Sequence, residues 1–216
     1  MKKIIDHMNP SRRIFLLILF HCFGIIACSI DIFKPLFEIG TPYHLILINV
    51  FLFYDAKIWN TAFALCLLFA FFLGMISEII GINTGLLFGD YHYTDALGYS
   101  VFGVPLLIGL TWTGTAYACN SLIQQNYFPK LFRPVLASLL MVAFDIVLEQ
   151  FATRIPLWQW AEGKIPMYNY FCWFVIGLVI SYVFQLFSKI SYNKVALYYI
   201  VTQLLFFLGY LFIHRF

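Results

Sequence analysis

Three carboxylic acids lie inside segments that are otherwise apolar: Glu78, Asp145 and Glu149. A charged side chain costs roughly 2.5 to 3.5 kcal/mol at the centre of a membrane helix, so an acid at such a position is expected to have a function. Asp145 and Glu149 are four residues apart and therefore share one face of a helix. Repulsion between two close carboxylates in a low dielectric favours protonation of one of them, and a protonated carboxyl facing a cavity is a general acid. The alternative is that each acid only packs and hydrogen-bonds across helices.

Two polar segments adjoin the helix ends that carry these acids. The first, residues 77–105, is rich in glycine, contains no Lys or Arg, and has Asp90, Tyr91, His92 and Tyr93 near its centre. Non-helical backbone at membrane depth is tolerated only where it is buried in protein or lines a cavity, so this segment could cap a site. An external loop whose tyrosines lie at the membrane interface is the alternative.

The second polar segment, residues 156–170, carries Trp158, Trp160, Tyr168 and Tyr170. Tryptophan and tyrosine near the ends of membrane helices are typical of interfacial anchors, but their π faces could also line a pocket and stabilise a cation. Both segments flank the acid-bearing helix ends on the same predicted side of the membrane. One site could therefore recruit groups from both.

The composition excludes an ordinary soluble protein. Of the 216 residues, 62% are hydrophobic and only 11% are charged, whereas soluble domains carry about 25% charged residues. Because a spanning helix needs roughly 20 apolar residues, we predict an all-α, polytopic transmembrane helix bundle of about seven spans, forming a single integral membrane domain over residues 1–216. The predicted spans are 14–31, 43–54, 58–80, 101–122, 134–151, 168–188 and 195–213.

The placement of basic residues predicts the orientation, because cytoplasmic loops collect Lys and Arg. With seven spans and a cytoplasmic N-terminus, nine basic residues lie on the cytoplasmic side and four on the other side. If the second span is removed, seven basic residues lie on the cytoplasmic side and six on the other. The nine are Lys2, Lys3, Arg12, Arg13, Lys57, Lys130, Arg133, Lys189 and Lys194, and the four are Lys34, Arg154, Lys164 and Arg215. We therefore expect an integral protein of a bacterial inner membrane with its N-terminus in the cytoplasm.

Several classes of function are disfavoured by what the sequence lacks. A net charge of +3 without a basic stripe indicates no nucleic-acid partner. The five histidines are scattered, unlike those of membrane di-iron enzymes, and no glycine-rich phosphate-binding motif is present. The last predicted span contains no Lys for a retinal Schiff base. We expect no metal and no cofactor, and infer acid/base chemistry on a lipophilic substrate.

Several blocks of the sequence, in their order and spacing, resemble the carotenoid biosynthesis membrane-protein family that includes the CruF-type carotenoid 1,2-hydratases. These blocks are 77–85 (SEIIGINTG), 88–93 (FGDYHY), 104–112 (VPLLIGLTW), 144–149 (FDIVLE), 158–160 (WQW) and 165–173 (IPMYNYFCW). The resemblance covers roughly residues 75–174. Gln150 stands where the family pattern leads us to expect Pro, and Phe144 where many members have Trp, departures that bear on the sub-family and the substrate.

The resemblance implies a cofactor-independent addition of water to the terminal 1,2 double bond of an acyclic carotenoid of the lycopene or gamma-carotene type, within the lipid bilayer. Protonation of the alkene would leave a tertiary cation that water captures. One of Asp145 and Glu149 would be the acid, and Glu78 or Asp90 would orient and deprotonate the water. The other candidate site residues are His92 as a catalytic group and Tyr91, Tyr93, Trp112, Trp158, Trp160, Tyr168 and Asn169 as substrate-binding groups.

Two other functions compete with hydration. A carotenoid cyclase of the lycopene type would begin with the same protonation but capture the cation with an internal alkene, and Pro35-x-x-Glu38 faintly resembles an acidic motif of such enzymes. A non-catalytic carrier or transporter of lipids or carotenoids would use the acids structurally. Access of water to the cation distinguishes a hydratase from a cyclase. Absence of turnover distinguishes a carrier from both enzymes.

Overall fold

Seven helices make up most of residues 9–56, 58–123, 127–155 and 157–214, which the computed structural model describes. They are α1 (Pro10–Ser29), α2 (Lys34–Tyr54), α3 (Thr61–Thr84), α4 (Leu106–Leu122), α5 (Arg133–Ala152), α6 (Met167–Phe187) and α7 (Lys194–Ile213). Six of these are long and apolar enough to cross a membrane, and α4, with 17 residues, is the exception. The chain is an integral membrane protein built as an all-α bundle.

The observed helices correct two of the predicted boundaries by more than four residues. The second helix begins at Lys34 rather than 43, because Pro35 occupies its first turn and the internal Pro42 does not end it. Proline is tolerated inside membrane helices when neighbouring groups satisfy the freed carbonyl. The fourth helix begins at Leu106 rather than 101, after a short hairpin. The other helix ends agree with the prediction to within four residues.

Side chains of asparagine mark where three of the helices start. The Asn9 side chain accepts a hydrogen bond from the backbone N–H of Arg12, and that of Asn60 accepts one from Phe63. Asn193 does the same at the start of α7. Each cap satisfies a backbone donor that has no partner inside the helix. These starts are therefore encoded locally in the sequence.

Two short antiparallel sheets form within the polar segments. Strand β1 (Tyr91–Tyr93) pairs with β4 (Trp158–Trp160), and β2 (Ser100–Val101) pairs with β3 (Val104–Pro105). In the first sheet Tyr91 lies opposite Trp160, and Tyr93 lies opposite Trp158. The first sheet thus joins the segment after α3 to the segment after α5, which supports the capping interpretation.

Helices α3 and α4 pack closely because each presents a glycine to the other. A Cβ added at Gly74 would lie 2.7 Å from Cβ and Cγ of Trp112, and one added at Gly109 would lie 2.7 Å from Cγ of Met75. Small residues let membrane helices approach, and here they bring α4 into the interior. All residues of α4 from Trp112 to Ser121 are buried.

A buried ion pair joins the start of α1 to the end of α2. Arg13 is 4% exposed, and its guanidinium donates hydrogen bonds to the carboxylate of Asp55, one of them 3.2 Å long from Nε. The guanidinium also lies 4.8 Å from the ring centre of Tyr54. These contacts place both helix ends on one side of the bundle.

Among the basic residues used to predict orientation, Lys2, Lys3, Lys57 and Arg215 lie outside the described residues, as does Pro156 of the second polar segment.

Replacement of Gly74 by alanine is expected to destabilise the protein. The added methyl group would displace Trp112, and overpacking of this kind typically lowers the free energy of unfolding by about 1 to 3 kcal/mol. The matched control is Gly40→Ala on α2, where a Cβ meets nothing within 4 Å. A comparison of melting temperatures in detergent should show a loss for Gly74→Ala and none for Gly40→Ala; equal values would contradict the packing described.

Candidate active site

A cavity of about 360 Å³ lies inside the bundle, against the sheet formed by β1 and β4. Its walls come from all seven helices and from both polar segments, and most of the lining side chains are apolar or aromatic. Among the described residues of its lining, the acidic ones are Glu78 and Glu149. Two acids thus face a largely apolar space that suits an apolar ligand.

Glu78, on α3, accepts three hydrogen bonds. The hydroxyls of Tyr91 and Tyr93 donate to its Oε2, the latter at 2.8 Å, and Nε1 of Trp112 donates to its Oε1 at 2.8 Å. The carboxyl is 4% exposed. Because both oxygens receive hydrogen bonds from donors, these three contacts favour the carboxylate form of Glu78.

The two tyrosines remain hydrogen-bond donors because they stay protonated. Burial raises the pKa of Tyr91 and of Tyr93 above the usual phenol value, and the nearby Glu78 carboxylate raises both further. Neither hydroxyl therefore ionises near neutral pH. Both hydroxyls are therefore available to donate hydrogen bonds to Glu78 at neutral pH.

Glu149, on α5, has a different set of partners. Nε1 of Trp158 and Nε1 of Trp160 both donate to Oε2, at 3.1 and 2.9 Å. Oε1 accepts no hydrogen bond from the residues that the structure describes. A carboxyl with one saturated oxygen and one free oxygen can carry a proton on the free oxygen while keeping both indole hydrogen bonds.

Asp145 lies one helical turn before Glu149 but does not line the cavity. Its side chain is fully buried, and Oδ2 accepts a hydrogen bond of 2.9 Å from Nδ2 of Asn169. Oδ1 is buried without a partner among the described residues. Asn169 itself lines the cavity, so Asp145 is connected to the cavity through this amide.

The pairing of β1 with β4 places the four ring donors. Side chains alternate between the two faces of a strand, so Tyr91 and Tyr93 share one face with Trp158 and Trp160. The rings of Tyr91 and Trp160 are 5.0 Å apart, and those of Tyr93 and Trp158 are 5.8 Å apart. One sheet face therefore supplies four of the five donors to the two acids.

The structure brings eight of the predicted site residues together on the cavity wall. They are Glu78, Tyr91, Tyr93, Trp112, Glu149, Trp158, Trp160 and Asn169.

Asp90, His92 and Tyr168 do not reach the cavity. The side chain of His92 is exposed because it alternates with the two buried-facing tyrosines along β1. Asp90 is exposed, and its carbonyl accepts a hydrogen bond from the backbone of Ala161. The Tyr168 hydroxyl donates to the Leu86 carbonyl, away from the acids.

Sequence reasoning missed many residues of the cavity wall, and three of them carry an indole or an imidazole ring. Trp173 stacks on Trp112 with ring centres 3.9 Å apart and planes inclined by 17°. Trp173 lies four residues after Asn169, so helical spacing would have placed it on the same face.

The two missed residues with an imidazole ring are His21 and His44, whose ring centres are 4.7 Å apart. A histidine inside an apolar span was the available signal for both, although only the packing of α1 on α2 shows that they meet. Nδ1 of His21 lies 2.7 Å from the Leu17 carbonyl, which identifies it as the donating nitrogen. Across the described ranges, no three His, Cys, Asp or Glu side chains are grouped so as to hold a metal ion.

The two departures from the family pattern differ in their relation to the cavity. Phe144 lines the wall, whereas Gln150 is exposed on the outside of α5. Phe144 therefore contributes to the shape of the cavity. Gln150 does not contact it.

Comparison with known proteins agrees with this site. The profile of a family described as carotenoid biosynthesis protein matches residues 40–214, a stretch that includes both acids of the cavity and all their hydrogen-bond donors. No curated protein and no solved structure gives a significant match. Since the profile spans most of the chain, the protein belongs to the carotenoid biosynthesis protein family.

Proposed function

We propose that the protein is a carotenoid 1,2-hydratase, which adds water to the terminal double bond of an acyclic carotenoid end group. The observation that carries this proposal is that two carboxyls with different hydrogen-bond partners face one aromatic cavity. Glu149 has a free oxygen that can hold a proton, and Glu78 is stabilised as an anion. Hydration of an alkene needs such a pair, an acid and a base.

Glu149 is the proton donor in this mechanism. Two carboxyls one helical turn apart do not readily both ionise in a low dielectric, so Asp145 and Glu149 share a proton at neutral pH. Glu149 is the member that reaches the cavity. Its Oε1 passes the proton to the less substituted alkene carbon, where a C–H bond forms as the π bond breaks. The positive charge develops on the tertiary carbon.

Glu78 and the indole rings stabilise this cation. The stacked pair of Trp112 and Trp173 and the ring of Trp160 line the cavity, and the π faces of aromatic rings attract cations. Water forms the C–O bond, and its surplus proton passes to Glu78. Return of that proton to Glu149 through water completes the cycle, with a net addition of one water and no oxidation or reduction.

We also propose that the protein resides in a bacterial cell membrane with its N-terminus in the cytoplasm. The basic residues support this orientation. The ends of α3 and α5 near Glu78 and Glu149 would then lie in the outer half of the membrane, with the β1–β4 sheet beyond them.

A cyclase would share the protonation step but not the capture by water. Glu38, the acid of the motif that suggested a cyclase, is exposed on α2 and does not line the cavity. A carrier would bind carotenoid without changing it. Analysis of the product distinguishes both from a hydratase.

Expression in cells that accumulate lycopene or gamma-carotene is expected to yield pigments heavier by one water for each modified end. Their long polyene absorption should be retained, because the terminal double bond is not conjugated. Mass spectrometry and absorption of extracted pigments provide the measurement. A blue-shifted pigment of unchanged mass would indicate cyclisation instead, and unmodified pigment that co-purifies with the protein would indicate a carrier.

Replacement of Glu149 by glutamine is expected to lower hydration by at least about 100-fold, the usual contribution of a general acid. Glutamine keeps an oxygen that can accept the hydrogen bonds from Trp158 and Trp160 but has no proton of sufficient acidity. Glu162→Gln is the matched control, since Glu162 is exposed on the polar segment that carries Trp158 and Trp160 and lies outside the cavity. Product formation by Glu149→Gln at the rate of the control would exclude Glu149 as the acid.

Replacement of Tyr91 by phenylalanine is expected to lower hydration roughly 10- to 100-fold, because a hydrogen bond to a charged group contributes about 1.5 to 3 kcal/mol. The ring and its contact with Trp160 are retained. Tyr99→Phe serves as control, since Tyr99 lies on the same polar segment and is 77% exposed. The rate of product formation is measured for both; an unaffected Tyr91→Phe variant would show that this hydroxyl does not support Glu78.

A further inference from the structure

The exposed residues of the cavity wall indicate where the cavity reaches the protein surface. Four of its lining residues are exposed, and all four belong to α1 or α2: Phe20 (36%), Phe23 (52%), Leu36 (51%) and Tyr43 (70%). The lining residues from the other helices and from both polar segments are buried or half-buried. The opening therefore lies between α1 and α2.

This opening is within the membrane rather than at its surface. Phe20 and Tyr43 are each nine residues from the connection between the two helices, which corresponds to about 14 Å along a helix axis. Both helices are apolar candidate spans. The exposed side chains of Phe20 and Tyr43 thus face lipid, and a lipophilic molecule could enter between them without crossing water.

The volume of the cavity indicates that part of a carotenoid must remain outside. Ligand sites typically measure about 300 to 1,000 Å³, and this cavity, at about 360 Å³, is near the lower limit. It has room for the end group and for little of the long polyene. The polyene must then pass through the opening, where the exposed lining is apolar or aromatic and uncharged.

Gly40 lies on the cavity wall in α2, four residues after Leu36 and three before Tyr43. A Cβ at this position would meet no atom within 4 Å, so the space beside it is open. Glycine inside a helix is less favourable than alanine by about 1 kcal/mol. The first atom of a side chain at this position would therefore enter open space beside the cavity.

We infer, on the basis of the proposed function, that the carotenoid enters sideways from the bilayer between α1 and α2 and that its polyene lies against Gly40 in the bound state. The reacting end group then reaches Glu78 and Glu149 across the cavity. Gly40 is a specificity-determining position, because the absence of a side chain there leaves room for the polyene.

The test compares Gly40→Phe with Ile39→Phe, both made in the full-length protein. Ile39 is the neighbouring residue on α2, is 68% exposed and does not line the cavity. The measurements are the amount of hydrated product and the amount of lycopene that co-purifies with the protein, which does not require turnover. Gly40→Phe is expected to lower both by at least about tenfold, corresponding to 1.4 kcal/mol of binding free energy, and Ile39→Phe should resemble the wild type.

The outcomes separate this inference from the proposed function. Suppose that the wild type forms hydrated product. If Gly40→Phe then forms as much product as the wild type, or if both variants lose activity equally, the lateral opening is overturned and the hydratase proposal stays intact. Absence of hydrated product from the wild type would overturn the hydratase proposal. Lycopene retention then decides: a loss confined to Gly40→Phe supports the opening, and any other pattern refutes it. Gly40→Leu replaces Gly40→Phe if the latter has a lowered melting temperature.

Discussion

The antiparallel pairing of β1 with β4 brings four ring donors to two carboxyls that lie on different helices. Tyr91 and Tyr93 donate hydrogen bonds to Glu78 on α3. Trp158 and Trp160 donate hydrogen bonds to Glu149 on α5. Without this sheet the two acids would be left in an apolar interior without adequate hydrogen bonds, at a cost of several kcal/mol each. The position of the polar segments, the closure of the cavity and the burial of the acids all depend on the same few backbone pairings.

The two acids of the cavity differ in the hydrogen bonds that their oxygens accept. This difference supports the proposal that one acts as an acid and the other as a base. Three donors shared between both oxygens stabilise a carboxylate at Glu78, whereas two donors on a single oxygen leave Glu149 able to hold a proton. In the proposed mechanism, environment rather than residue type separates the acid from the base, as in enzymes that use paired carboxyls. Membership of a carotenoid biosynthesis family gives this pair a lipophilic substrate class on which to act.

A carotenoid gains little hydrophobic free energy by moving from lipid into an apolar protein cavity. Selectivity in such a site must therefore depend on the shape of the wall and on the few polar groups within it. The stacked indoles of Trp112 and Trp173 and the ring of Phe144 provide that shape. The close packing of α3 on α4 at Gly74 holds the first of these rings in place.

The helical bundle and most of the helix ends could be read from the chain, because apolar periodicity, proline and asparagine caps act over a few neighbouring residues. The acids were evident for the same reason: a carboxyl in an apolar run is unfavourable wherever the helix packs. Local pattern could not show that His92 and Asp90 face outwards, that Asp145 lies behind Asn169, or that Trp173 and the two histidines reach the cavity. Those facts depend on the register between strands some 65 residues apart and on helix rotation, which are set by long-range packing and not by the spacing of residues along the chain.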